Sequence, residues 1–140
     1  MSIPLTSNSS FKSYMDGAMI TCKTSRAYQV IKELHVENGL YTDGKYIAIA
    51  ISSYYGNVGD KFRITLSSGK TFLAIMSDTK ASHELNEKYE HADGSLIEFI
   101  IDTDEARKYY PKAILTGNFN NTDEYKGEIV KIERLNNENN

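Results

Sequence analysis

Apolar and polar residues alternate along much of this chain with the two-residue period of β-strands. In residues 61–66 every second residue is apolar and its neighbours are polar or charged. A turn containing Gly69 follows, and residues 71–76 form a second apolar run, so the two runs predict a β-hairpin. Further strands are predicted over residues 46–51, 96–101 and 127–133.

Helical patterns are few and short. Residues 25–31 predict one or two turns with Thr24 or Ser25 as the cap, and residues 103–108 include a capping residue, acids in the first turn and bases at the end. Pro111 is predicted to end the second helix. Short strands separated by turns, with little helix, predict a mainly β domain and a small barrel rather than an α/β sheet. We expect one domain over residues 13–134, between a flexible polar N-terminal segment, 1–12, and a disordered tail, 135–140.

Composition excludes several classes of protein. The chain has 140 residues, enough for one domain with a sizeable core, and its 16 basic and 19 acidic side chains give a net charge of −3. This balance argues against nucleic acid as a partner. No apolar run is long enough for a transmembrane helix, and the N-terminus lacks the pattern of a signal peptide. The single cysteine, Cys22, fits either a core position or a nucleophile, but neither an internal disulfide nor a thiolate metal site.

Two acids beside predicted strands are candidates for chemistry. Asp78 follows the apolar run 71–76, where partial burial would raise its pKa and suit it to general acid catalysis; the alternative is that it caps a turn. Glu98 lies inside the run 96–101 and faces either water or another polar group. Two acids at different depths are typical of sugar-cleaving sites.

Two other segments carry polar or aromatic groups. The loop 82–93 contains His83 and His91 among several carboxylates, which fits either a metal site or an ordinary polar loop. Because the histidine spacing matches no established ligand pattern, we predict no metal and no cofactor. Tyr54 and Tyr55 fit either stacking on sugar rings or packing at the rim of the barrel.

The order of these segments resembles a known family. Residues 58–66 and 69–76 are followed by Ser77-Asp78-Thr79, a variable loop and residues 94–99. This series resembles the double-psi β-barrel of the three-aspartate ("3D") domain, which is related in fold to membrane-bound lytic transglycosylase A and the expansins. Over nearly the whole chain the sequence is similar to uncharacterised phage and prophage proteins of Gram-positive bacteria, in segments that include 14–16, 43–46, 53–56 and 117–133. The resemblance implies a small six-stranded double-psi β-barrel with one or two short helices.

The resemblance also implies roles for particular residues. The catalytic aspartate of the transglycosylases aligns with Asp78; there it protonates the glycosidic oxygen and then takes the proton of the sugar O6, which leaves a 1,6-anhydro end. The third family aspartate aligns with Glu98, while the first falls near Ala50 or Ile51, where no acid stands. Around these catalytic candidates, the side chains expected to bind substrate are Tyr54, Tyr55, Thr79, Lys80 and His83.

The expected function is therefore that of a phage- or prophage-encoded, peptidoglycan-active protein that cleaves glycan strands as a lytic transglycosylase does. Its partner would be a peptidoglycan strand, and it would be made in the host cytoplasm and released at lysis or carried in the virion. The alternative is a non-catalytic barrel that serves as a virion or tail component or inhibits a host protein. The missing acid near Ala50 favours this alternative.

Overall fold

The structure is a computed structural model that describes residues 1–6, 9–80 and 95–135, and it confirms a mainly β fold. The described residues form nine strands and three α-helices. The strands are β1 (Ser2–Ile3), β2 (Lys12–Asp16), β3 (His35–Glu37), β4 (Leu40–Thr42), β5 (Ile47–Ile51), β6 (Lys61–Leu66), β7 (Thr71–Thr79), β8 (Ile97–Ile101) and β9 (Ile129–Arg134). The helices are α1 (Arg26–Ile31), α2 (Thr103–Tyr109) and α3 (Pro111–Thr116).

The strands form one mixed sheet in the order β1-β9-β6-β7-β5-β4-β8-β2, with β3 attached to β4 and an additional pairing of β5 with β8. Two pairs, β5 with β7 and β2 with β8, are parallel, and the other pairs are antiparallel. The first and last strands of this order, β1 and β2, are not paired with each other among the described residues. The sequence predicted six strands in a barrel. Among the described residues there are instead nine strands, six of which have five or more residues, and the sheet is not closed into a barrel.

The predicted strands correspond to β5 to β9, and the hairpin of β6 and β7 is confirmed. The strands β1 to β4 were not predicted, because they are short or carry no regular alternation. β3 and β4 are joined by Asn38 and Gly39, whose φ angles of 55° and 89° are those of a tight type I′ hairpin turn.

Both predicted helices are present, and each is capped by a side chain that accepts a backbone hydrogen bond. Ser25 caps α1 and Asp102 caps α2. Pro111, which was expected only to end a helix, is the first residue of α3; a proline fits there because the first turn of a helix needs no N–H donor. α3 ends at Gly117, which adopts a left-handed φ of 72°.

The core has two parts, one on each face of β5. Ile49 and Ile51 point into the larger part, which is rich in phenylalanine, whereas Ala48 points into a smaller part beneath α1. The same alternation continues in β8, where Phe99 belongs to the larger part and Ile100 to the smaller part. Both faces of the central strands are therefore covered, as their continuous apolar sequence predicts.

The N-terminal residues, expected to be flexible, contribute to the sheet. β1 pairs with β9, Thr6 contacts Tyr55, and Lys12 is fully buried at the start of β2. Among the described residues, no helix is long and apolar enough to cross a membrane.

Candidate active site

The two candidate acids flank a small residue in the middle of the sheet. Ala50 in β5 is in register with Asp78 in the parallel strand β7 and with Glu98 in the antiparallel strand β8. Residues in register on adjacent strands share a face, about 5 Å apart, so the Cα atoms of Asp78 and Glu98 are separated by about 10 Å across Ala50. We call these three residues the acid row.

A β-bulge in β7 explains how Asp78 reaches this row. In an unbroken strand residues 76 and 78 would share a face, and Asp78 would follow Met76 into the larger core. Instead, Ile49 pairs with Met76 while Ala50 pairs with Asp78, which leaves Ser77 as an extra residue. The bulge therefore turns the carboxylate of Asp78 out of the apolar core and towards the face of Ala50.

The surroundings of the two acids differ. Asp78 is half-buried near the end of β7, and its Oδ1 accepts the backbone N–H of Thr79 at 2.9 Å. Glu98 is also half-buried, and its Oε2 accepts the hydroxyl of Ser13 at 3.3 Å. Ser13 is in register with Glu98 on the neighbouring strand β2, so it extends the acid row by one residue.

A buried polar network supports Glu98 from behind. The hydroxyls of Ser13 and Ser95 lie 2.9 Å apart, and the amino group of Lys80 donates to the carbonyl and hydroxyl oxygens of Ser95 at 2.8 and 3.3 Å. Ser95 also donates to the carbonyl of Ile97. Ser13, Lys80 and Ser95 are all buried, so this network fixes the position of the Glu98 side chain rather than contacting solvent.

The other predicted binding residues lie in different environments. Thr79 is exposed beside Asp78, but Lys80 is only 4% exposed and is engaged with Ser95, so its amino group is not presented at the surface as a substrate-binding residue would be. His83 lies outside the described residues, as does the rest of its loop. Within the described part of the chain, no group of three or more histidine, cysteine, aspartate and glutamate side chains is placed to hold a metal ion.

Tyr54 and Tyr55 hold the N-terminal segment. Their rings contact edge to face at 4.8 Å, and the hydroxyl of Tyr54 donates to the carbonyl of Pro4. Tyr55 is fully buried, and its hydroxyl lies 3.1 Å from that of Thr6. Of the two interpretations open from the sequence, packing therefore describes Tyr55, because its ring has no face exposed for stacking on a sugar. Tyr54 is 40% exposed and keeps part of its ring at the surface.

Sequence reasoning missed Ser13 and Ser95. A serine in a short strand carries no signal of function, and the spacing of 82 residues between the two conceals their contact. Ala50 was noted only as the place of an absent acid, whereas its position in register between two acids follows from strand pairing that the sequence does not show.

No family model matches this chain, and no curated protein or solved structure matches it either.

Proposed function

We propose that the acid row is a glycan-cleaving site of the lytic transglycosylase type, acting on peptidoglycan. The observation that carries the proposal is the register of Ala50 with both Asp78 and Glu98, which puts two carboxylates on one face with only a methyl group between them. Paired carboxylates on one face are the usual requirement for cleavage of a glycosidic bond.

In the proposed reaction Asp78, in its protonated form, donates its proton to the glycosidic oxygen as the bond from C1 to that oxygen breaks. The O6 hydroxyl of the same sugar then attacks C1, and the Asp78 carboxylate takes the O6 proton. The products are a free hydroxyl on the leaving sugar and a 1,6-anhydro ring, and neither water nor a metal ion enters the balance. Glu98, held by Ser13, is placed to stabilise the positive charge that develops at C1.

We also propose that the sheet is an open form of the double-psi β-barrel. Six strands of five or more residues and two parallel pairs support this topology. On the unpaired side, the N–H of Ile129 at the start of β9 donates to the carbonyl of Ser9, just before β2. Nuclear Overhauser contacts between β2 and β9 would establish closure, and their absence would leave the sheet open.

The test of activity is digestion of purified peptidoglycan, followed by mass spectrometry of the soluble products. We expect the wild-type protein to release 1,6-anhydro-muropeptides and Asp78→Asn to release at least a hundredfold less, since general acid–base catalysis typically contributes about 10² to 10⁴. Asn keeps an acceptor for the N–H of Thr79, so the fold is retained. Glu98→Gln keeps an acceptor for Ser13 and should lower the rate as well.

Asp104→Asn is the matched control, because the Asp104 side chain is 95% exposed on α2 and contacts only Arg107. It should release products at the wild-type rate. Equal product release by Asp78→Asn and wild type would show that Asp78 is not the acid.

A second function is a non-catalytic binding or structural role in a phage, either in the virion or against a host protein. The first acid of the resembling family falls near Ala50 or Ile51, and both of these residues are apolar and buried. A folded wild-type protein that releases no anhydro product, yet co-purifies with virions or with one host protein, would establish this function. Delivery by lysis or by the virion fits either function.

A further inference from the structure

A small cavity lies apart from the acid row, between the β3–β4 hairpin, the start of β5 and two tyrosines. Its volume is about 230 Å³, and Tyr110 and Tyr125 line one side of it. Leu40 and Ile47 supply apolar surface, and Glu37 and Lys45 bring opposite charges. None of the acid-row residues contributes to this cavity.

The hydroxyl of Tyr125 has no partner within the described chain. The side chain is only 6% exposed, and its ring packs against Phe72 and Phe99 at centroid distances of 5.3 and 4.8 Å. Neither it nor Tyr110 makes a side-chain hydrogen bond to a described residue. In the described part of the chain, every polar side-chain atom that is sealed from solvent has a hydrogen-bond partner. The Tyr125 hydroxyl has none, so it is not sealed and must open into the cavity that Tyr125 lines.

The Tyr125 hydroxyl is therefore open to a partner from outside the described chain. Buried hydroxyls are normally satisfied, since a buried polar group without a partner costs about 1–3 kcal/mol. Two other tyrosines make such a bond, since Tyr14 donates to the carbonyl of Ile114 at 2.9 Å and Tyr55 contacts Thr6, whereas the hydroxyl of Tyr46, which is also 6% exposed, makes none to a described residue. A phenylalanine would fill the apolar space around Tyr125 equally well, and the hydroxyl makes no hydrogen bond that supports the fold of the described residues.

Both cavity tyrosines remain protonated near neutral pH. Burial raises the pKa of Tyr110 and of Tyr125, and in Tyr125 the neighbouring Tyr110 and the charge of Glu124 add to the effect. Each hydroxyl can therefore donate one hydrogen bond and accept another. These groups fit a ligand that itself both donates and accepts.

We propose that this cavity binds a neutral, polyhydroxylated ring of the size of one sugar unit. The volume equals that of about eight water molecules, which suits a single pyranose ring. The tyrosine hydroxyls bind ring hydroxyls, Leu40 and Ile47 contact the apolar C–H face, and Glu37 and Lys45 form charge-assisted hydrogen bonds at the mouth. Because Glu37 and Lys45 carry opposite charges, either an anionic or a cationic ligand would be repelled by one of them. The proposal does not depend on the acid row.

The test is a titration of the full-length, isotope-labelled protein with glucose and, separately, with N-acetylglucosamine, followed by the amide NMR signals. We expect saturable shifts at Asn38, Gly44 and Lys45 with at least one sugar. Tyr125→Phe and Tyr110→Phe should each weaken binding about fivefold, the effect of losing one hydrogen bond. Tyr14→Phe, which removes a hydroxyl outside the cavity, should bind like wild type.

Urea unfolding separates a binding role from a structural one. Tyr125→Phe should unfold at the wild-type urea concentration or above it, whereas Tyr14→Phe should unfold at a lower concentration because it loses a hydrogen bond. The proposal is overturned if neither sugar gives saturable shifts at the cavity, if Tyr125→Phe and Tyr110→Phe both bind like wild type, or if acetate produces the same shifts as the sugars.

Discussion

The ammonium group of Lys12 lies inside the protein and contacts three neutral oxygen atoms of the described residues. Its Nζ donates to the carbonyls of Ser10 and Gly127 at 2.7 and 2.6 Å and to the side-chain oxygen of Asn120 at 3.3 Å. Burial lowers the pKa of Lys12 from 10.5 to about 8, because desolvation disfavours the charged ammonium group. One residue thus joins the N-terminal segment, the turn before β9 and the start of β2.

This burial predicts a rise in stability with pH. Between about pH 8 and pH 10 the unfolded chain binds a proton at Lys12 that the folded protein does not, so the free energy of unfolding increases as pH rises. Above pH 10 the raised pKa of Tyr125 acts in the opposite direction, because the unfolded chain then loses a proton that the folded protein keeps. Urea unfolding at several pH values within the lower window measures the effect.

Lys12→Met should remove this part of the pH dependence. It should also lower the free energy of unfolding near neutral pH by about 2 kcal/mol, because the carbonyl oxygens of Ser10 and Gly127 lose a donor, while Asn120 Oδ1 keeps the N–H of Gly127. Lys112→Met, at an exposed position on α3, is the matched control and should keep the wild-type slope. A wild-type slope in Lys12→Met would mean that Lys12 titrates as it does in the unfolded chain.

At the scale of elements, the sequence predicted strands wherever alternation was long and regular, and it failed where pairing depends on distant residues. β6 and β7 form a hairpin that local pattern alone determines. β2 is held by parallel pairing with β8, more than 80 residues away, and nothing in its own five residues indicates that partner. The β3–β4 hairpin was predictable in principle, because Asn38-Gly39 is the strongest two-residue signal for such a turn.

The candidate site shows the same division. Asp78 and Glu98 were identified from their places at or within apolar runs, but their common face depends on the bulge at Ser77. A bulge shifts the alternation of inward- and outward-facing side chains by one residue, and no feature of residues 74–79 predicts it. The contacts of Ser13 and Ser95 with this site become visible only when β2 and β8 are brought together.

The register of these strands predicts the effect of an acid at position 50. Ala50→Asp would bury a third carboxylate between Asp78 and Glu98, so we expect it to lower the free energy of unfolding by at least about 2 kcal/mol at neutral pH. Protonation relieves the repulsion, so the loss should shrink between pH 7 and about pH 4. Urea unfolding at the two pH values measures it.

Ala50→Asn has nearly the same shape without the charge and is the control. It should be destabilised by a similar steric amount at both pH values. If Ala50→Asp and Ala50→Asn respond alike to pH, the charges at positions 50, 78 and 98 do not interact and the three residues do not form a row.

At the scale of the whole molecule, the N-terminal segment covers one end of the sheet. Met1 and Arg134 are joined by two backbone hydrogen bonds, and β1 pairs with β9. Thr6 contacts the hydroxyl of Tyr55, which follows β5 in the chain. Ile3 and Leu5 pack partly buried against the larger core. The segment therefore connects the first strand of the sheet order to its centre, although composition alone predicts a flexible leader.

Removal of residues 1–6 should then destabilise the whole domain. Loss of the β1–β9 pairing and of the contacts of Ile3 and Leu5 should lower the free energy of unfolding by about 2–4 kcal/mol, and the amide of Arg134 should exchange with solvent much faster. Urea unfolding and amide hydrogen exchange measure the two effects. Tyr54→Phe, which loses the exposed hydrogen bond to Pro4, should change stability by less than about 0.5 kcal/mol. Unchanged stability of the shortened protein would show that the sheet is complete without this segment. We expect the opposite, because β9 pairs with β6 and β6 pairs with β7, so loss of β1 should weaken the sheet as far as the strand that carries Asp78.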